Sequence, residues 1–382
     1  MTQGDPIYLD HNATTPVLPE VVDAMLPFLR EHFGNPSSAH VFGARARAAV
    51  TRARAQVAAL LGCDADEVTF TSGGTESNNL AIRGVAEARE ERSRIVTTIV
   101  EHPAAAAACA RLEKYGRSVT RIGVDADGRA RVDEAQAAID SDTALITVMH
   151  SNGETGVLQP VVEVVALAHA TGALVHTDAA QSVGKVSVNV RRLDVDLLSV
   201  AGHKLYAPKG VGALYVKRGT PLLPLAVGAG HESGLRPGTE NVAAIVGLGI
   251  ACETAARDLD ATAARMRALR ELLWQRLAAA VPGLALNGHR ELRLPNTLNV
   301  RFPRVSGNAV LAGAPEIAAS TGSACHADHE DPSAVILAMG IAPAEALESV
   351  RLTLGRGTTE DDVVRAADAL IRSWRRAQPQ SL

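Results

Sequence analysis

The chain has 382 residues, 47% of them hydrophobic but only 3% aromatic, with a formal net charge of −4 from 38 Lys+Arg against 42 Asp+Glu. That length suits two domains around an alanine, valine and leucine core, and charge of neither sign is gathered into a run, which counts against a nucleic-acid surface. No apolar stretch reaches the roughly 18 residues of a membrane span and Met1-Thr-Gln-Gly-Asp-Pro6 lacks a basic-then-apolar leader, so the expectation is a soluble cytoplasmic protein with no membrane partner.

In chain order, short apolar runs predict strands at Glu67–Thr71, Arg94–Val100, Ala144–Met149, Ala173–Thr177, Asp196–Val200 and Gly212–Val216. The first four are each followed by a helical pattern. Strands alternating with helices imply an α/β fold with a mostly parallel sheet covered on both faces, and ligands then bind beyond the carboxyl ends of the strands. From about Thr239 to Val281 a long alanine-rich helix is predicted. It marks the crossing from a large domain, 16–254, into a smaller one built from 1–15 and 255–382, with no disordered linker between them.

If that rule holds, the residues just after each strand carry the chemistry. They are Ser72-Gly-Gly-Thr-Glu-Ser77, Glu101-His102, His150-Ser-Asn152-Gly-Glu154, Asp178-Ala-Ala-Gln181 and His203-Lys204. Ser72–Ser77 opens a helix, so its glycines, its amides and the Thr75 hydroxyl suit a phosphate; an ordinary capping box is the competing reading. Asp178 suits a protonated pyridine nitrogen or, equally, a helix N-cap. His102 could stack on a flat ring or be an ordinary packed histidine, and Gln181 could reach a ring substituent. Lys204 is one of only five lysines in the chain. An amine placed just past a strand and after a histidine suits a Schiff base with an aldehyde cofactor, against the alternative of a surface lysine. Together, in this order, the four features specify a pyridoxal phosphate enzyme.

The four cysteines, Cys63, Cys109, Cys252 and Cys325, form no Cys-x-x-Cys pair, and neither a structural zinc site nor a disulfide framework is indicated. The first three lie in helical, apolar context and read as inert. Cys325 stands in the polar stretch Ala319–Pro332, read as a mobile, accessible loop that suits a nucleophilic thiolate. A buried small hydrophobe, or a metal held by Cys325, His326 and His329, are the competing readings; no metal is the expectation.

Tyr8-Leu-Asp-His-Asn-Ala-Thr-Thr-Pro16, Phe33-Gly-Asn-Pro-Ser-Ser38, Phe70–Ser77, Glu101-His102, Asn152-Gly-Glu-Thr-Gly156, His176–Gln181, Gly202-His-Lys204, Arg236-Pro-Gly-Thr-Glu-Asn241, Gly322-Ser-Ala-Cys325 and Ser349–Gly355 resemble the cysteine desulfurase family, in order and over essentially the whole chain. The resemblance implies pyridoxal phosphate fold type I, with a seven-stranded sheet in the large domain and a smaller α+β domain carrying the Cys325 loop. It implies that Lys204 binds the cofactor covalently and takes the Cα proton, that His102 stacks on the ring and assists, that Asp178 holds the pyridine nitrogen and that Gln181 holds the phenolic oxygen. Gly74, Thr75 and His203 are implied at the phosphate. The resemblance also implies that Thr239 completes the neighbouring subunit's phosphate site in a homodimer with shared active sites. Asn12, Asn152 and Arg351 are implied at the substrate, Arg351 by its fork geometry toward a carboxylate.

The activity so implied converts L-cysteine to L-alanine and leaves a persulfide on Cys325 for an acceptor or scaffold protein, as in iron–sulfur cluster biogenesis. Two features depart from the pattern. Ala201 stands where many members carry a phosphate-binding serine, and Cys325-His-Ala-Asp-His329 is similar to the selenocysteine lyase branch. A lyase acting on L-selenocysteine is therefore a second reading. A class-V aminotransferase without need of Cys325, and a non-catalytic scaffold, are further ones.

Overall fold

The computed structural model describes residues 6–322 and 331–378. Its central sheet has seven strands in the spatial order Val68–Thr71, Gly212–Val216, Leu197–Ala201, Leu174–Asp178, Thr143–Thr147, Arg94–Thr98 and Ser118–Ile122. Gly212–Val216 runs antiparallel to both neighbours and every other pairing is parallel. Val68–Thr71, Thr143–Thr147 and Leu197–Ala201 are buried along their whole length. A strand covered on both faces has no reason to alternate apolar with polar, which is why these segments read as continuous runs. Across the sheet Leu145, Leu197 and Leu214 pack with the helices Gly74–Ala88 and Pro103–Lys114, while Ile146, Leu198 and Ala213 pack on the other face with Val164, Val165 and Leu248.

The six predicted strands end within two residues of the observed ones. Two differences have physical causes. Ser118–Ile122 forms an edge strand with mostly exposed or half-exposed residues, so it lacks the apolar run that identified the rest. No helix directly follows Leu174–Asp178. The chain turns through Ala179–Val188, and at Gly184, with φ +76°, a Cβ would stand 2.0 Å from Leu205 Cδ1, so the path requires glycine. The N-cap reading of Asp178 falls with that helix.

A second apolar core gathers Leu9, Leu273, Leu277, Leu298, Val300, Leu352 and Leu370 around a small antiparallel sheet of Ala285–Leu286, Thr297–Arg301 and Ser349–Thr353 and the helix Glu360–Ala377. The helix Val242–Ala280 serves both cores, through Leu248 and Cys252 at one end and Leu269 to Leu277 at the other. Between them Asp258 leaves helical geometry (φ −133°, ψ 22°) and accepts from Nη1 and Nη2 of Arg356 at 2.9 and 2.5 Å. Among the described residues, no helix is long and apolar enough to cross a membrane.

Candidate active site

The carboxyl ends of the parallel strands bring the polar clusters together, as the topology requires. After Val68–Thr71 the chain passes through Gly73, with φ +147° and open space where a Cβ would sit, into the helix Gly74–Ala88. No side chain caps that helix. The capping-box reading therefore fails: Glu76 reaches back to the Ser72 amide at 2.8 Å, outside the helix, and pairs with Arg236 at 3.0 Å. First-turn amides left without a side-chain acceptor beside an open glycine are a cradle for an anion. Ala201 lies under it, 3.2 Å from where a Gly74 Cβ would be.

His102 follows the strand Arg94–Thr98 and caps the helix Pro103–Lys114, its Nδ1 accepting from the Ala104 amide at 3.1 Å. With Nδ1 so used, the neutral ring carries its proton on Nε2. Burial lowers its pKa, opposed by Asp178 and assisted by Lys204. Just before it, Glu101 Oε1 accepts from Thr98 Oγ1 at 2.8 Å and from the Met149 amide at 2.9 Å, tying two strand ends together. Its Oε2 is buried with no hydrogen-bond partner, and burial pushes the carboxyl up to about 8. Asp178 ends its strand with Oδ2 accepting from Asn78 Nδ2 at 2.6 Å and Oδ1 from the Ala180 amide at 2.9 Å. Two of a carboxylate's four or so lone-pair sites remain for a ring N–H.

Lys204 closes the turn Gly202–Lys204 after Leu197–Ala201, and its Nζ donates to Asn12 O at 2.9 Å. Gln181 Nε2 donates to the same oxygen at 3.0 Å. Asn12 is brought there by the segment 10–16: Thr15 donates through both its amide and its hydroxyl to His203 O, each at 2.9 Å, and His203 Nδ1 meets Thr14 Oγ1 at 3.1 Å. His203 is half-buried, and its pKa falls to about 4 through desolvation and the neighbouring lysines Lys204, Lys209 and Lys185.

One residue here escaped sequence reasoning. Lys185, 4% exposed, donates to Asn12 Oδ1 and to Gln181 Oε1, each at 3.0 Å. Burial, then the neighbouring Lys204 and Arg351, lower its pKa well below that of a free lysine. The scarcity of lysine is the available signal, and it marks Lys185 as much as Lys204.

The residues expected at the substrate are more heavily engaged than a free binding surface would be. Every side-chain polar atom of Asn12 is used, Nδ2 by Gly153 O and Thr297 Oγ1, and Oδ1 by Lys185 and Asn296. Asn152 Oδ1 accepts from Glu154 and Thr155, and its Nδ2 donates to Val100 O, so it organises the turn after its strand. Arg351 in the small sheet is 3% exposed and pairs with Asp10 at 2.7 Å, while its Nε is buried without a hydrogen-bond partner. Thr239 is exposed, two residues before the N-cap Asn241. Cys325, with His326 and His329, lies outside the described residues. On either side of that stretch, Ser333 Oγ donates to Glu154 Oε2 at 2.6 Å and a Cβ at Gly322 would stand 3.7 Å from the same oxygen. Cys63, Cys109 and Cys252 are each pushed up to about 12 by burial, in keeping with inert thiols.

Residues 7–365 match the family model for class-V aminotransferases. A cysteine desulfurase of Gluconacetobacter diazotrophicus is 48% identical over 371 residues, 95% of this chain and 92% of its own. The cysteine desulfurase NifS of Azotobacter vinelandii is 43% identical over 379 residues, 98% and 94% respectively. A solved NifS-like protein superposes with a TM-score of 0.90 at 36% identity, covering 96% of this chain and 98% of that one.

Proposed function

Because the chain belongs to the cysteine desulfurase family within the class-V aminotransferases, we propose that it releases sulfur from L-cysteine with pyridoxal phosphate held at Lys204 and takes that sulfur on Cys325. The observation that carries this assignment is the meeting of Lys204 Nζ and Gln181 Nε2 on one backbone oxygen, Asn12 O. An amine and an amide N–H side by side suit the aldehyde carbon and the adjacent phenolic oxygen of one ring. Asp178, with lone pairs to spare, suits the pyridine nitrogen, and the uncapped helix start with Gly74 and Thr75, together with His203, suits the phosphate. Thr239 serves the phosphate site of a second copy in a homodimer, and its exposure supports that role. The two apolar cores and the break at Asp258 support a division into 16–254 and a smaller domain of 1–15 with 255–382.

Bound pyridoxal phosphate supplies an electron sink that makes loss of the substrate Cα proton accessible. The chain does the rest. Arg351 holds the substrate carboxylate with guanidinium donors beyond those given to Asp10, and Asn12 and Asn152 shape the wall beside it. Lys204 Nζ accepts the Cα proton, and neutral His102 assists proton movement from Nε2. The Cys325 thiolate attacks the substrate sulfur: an S–S bond forms, the substrate Cβ–S bond breaks, and its electron pair stays on the carbon skeleton, which is protonated to alanine. The persulfide on Cys325 then passes to the thiol of an acceptor protein.

The test is alanine formation by the holoenzyme from L-cysteine and from L-selenocysteine, with Cys325→Ala in parallel. Turnover of cysteine that vanishes in the variant is the expected result. Turnover confined to selenocysteine would move the enzyme to the lyase reading, and activity indifferent to the substitution would remove Cys325 from the reaction.

A further inference from the structure

Lys185 has no place in the chemistry above, yet it is a buried amine in direct contact with two residues of the site. Its Nζ makes two hydrogen bonds at 3.0 Å, to Asn12 Oδ1 and Gln181 Oε1. Both acceptors are side-chain amide oxygens. The carboxamide of Gln181 has one acceptor end and one donor end, and the two are fixed from opposite sides: Oε1 by Lys185, Nε2 by Asn12 O. A half-turn of that amide would set NH2 against the Lys185 donors and oxygen against the Asn12 carbonyl, so neither contact would survive. Asn12 is itself held by Asn296 Nδ2 at 3.1 Å and by its own bonds to Gly153 O and Thr297 Oγ1.

We propose that Lys185 is a positioning residue, which by occupying Gln181 Oε1 presents Gln181 Nε2, and not the oxygen, on the Lys204 side of the site as the donor to the cofactor's phenolic oxygen. This rests on the reading above, in which Gln181 faces that oxygen. Among the described residues the buried Lys185 amine donates to two amide oxygens and to no carboxylate, and burial lowers its pKa, which eases placing it against such neutral acceptors. The cations and imidazoles electrostatically coupled to it are Lys204, Arg351, His11 and His203. Lys185 acts through Gln181 and touches neither substrate nor the reacting atoms.

A donor to the phenolic oxygen stabilises its anionic form and so lowers the pH at which the visible absorption band of the bound cofactor titrates. The experiment follows that band across pH in the holoprotein, for the unaltered chain, Lys185→Met, Gln181→Leu and the double variant. Lys185→Met is expected to raise the midpoint by about one pH unit, the scale of one lost charge-assisted hydrogen bond. Gln181→Leu is expected to raise it as much, and the double variant no further than Gln181→Leu alone. An unshifted midpoint in Lys185→Met overturns the proposal. So does a shift that persists in the Gln181→Leu background, which would mean that Lys185 acts directly on Lys204 or only through packing. If Lys185→Met does not fold, Lys185→Gln carries the same test, with a smaller rise and again none in the Gln181→Leu background. If the unaltered protein takes up pyridoxal phosphate with no visible band, the parent reading fails, and this one with it; a normal band with an unchanged variant sinks only the role of Lys185.

Discussion

The two walls of the site are built on different electrostatic plans. The ends of the large sheet present groups kept neutral by burial: His102 and His150 have lowered pKa values, as has His176 one turn of the network below, and Glu101 has a raised one. His176 bridges Thr147 Oγ1 at 2.8 Å and Ser199 Oγ at 2.9 Å, so three neighbouring strands share one uncharged chain of hydrogen bonds under Asp178. The small sheet instead presents a charge, Arg351, held by the carboxylate of Asp10. A wall of uncharged histidines and a protonated Glu101 around Asp178 and Lys204 suits a flat cofactor whose own charges must be placed individually. A guanidinium whose Nε has no acceptor suits an anion that comes and goes. The first wall should therefore respond to pH, the second to loss of a single side chain.

The most damaging change to the first wall is Lys204→Ala, which should abolish the visible band of the bound cofactor and lower alanine formation by three orders of magnitude or more, on the order expected for removing a proton acceptor and a covalent anchor together. A persisting band would move the anchor to another lysine. Next in size is acid sensitivity. His11, His150 and His176 have folded-state pKa values of about 4 against 6.5 for free histidine, so unfolding takes up protons below pH 6.5. Their contribution is complete above 6.5 and is lost as pH falls from there through about 4, a drop of several kcal/mol if the three act together. Urea titrations at pH 7, 5.5 and 4.5 measure it, and a flat profile would show that the wall is not neutral by burial.

Glu101 has the opposite sign. Its carboxyl is raised from 4.5 to about 8, so it costs stability increasingly as pH climbs across that interval. Glu101→Gln keeps the Oε1 acceptor for Thr98 and Met149. It should match the parent near pH 4.5 and exceed it by up to about 3 kcal/mol near pH 8. A gain independent of pH would point to packing instead. The smallest effect belongs to the charged wall. Arg351→Ala should raise KM for L-cysteine about 10- to 100-fold with a lesser change in kcat, the signature of lost ground-state binding. Asp10→Asn, which keeps the guanidinium and removes its ion pair, should leave KM much closer to that of the parent. A KM equally high in both variants would mean that the Arg351–Asp10 pair is needed only to hold the fold.

Much of this was legible in the chain. Short runs ending at Thr71, Val100, Met149, Thr177 and Val200 placed the strand ends to within two residues, and the parallel topology then made the following residues neighbours whatever the loops between them did. Ser118–Ile122 was not legible, since a half-exposed edge strand carries no apolar run. Nor was the absence of a helix after Asp178, which depends on how closely Leu205 approaches Gly184.

The residue types at the strand ends, and with them the chemistry available, were determined by the sequence alone. Their ionisation and orientation were decided by the tertiary structure. Lys185 reads in the chain as one lysine among five. It becomes a buried donor only when Asn12, 173 residues away, supplies one of its acceptors. Arg351 meets its carboxylate across 341 residues. Charge state follows from water excluded by packing and from partners delivered from far along the chain, and neither quantity is carried by any local stretch of sequence.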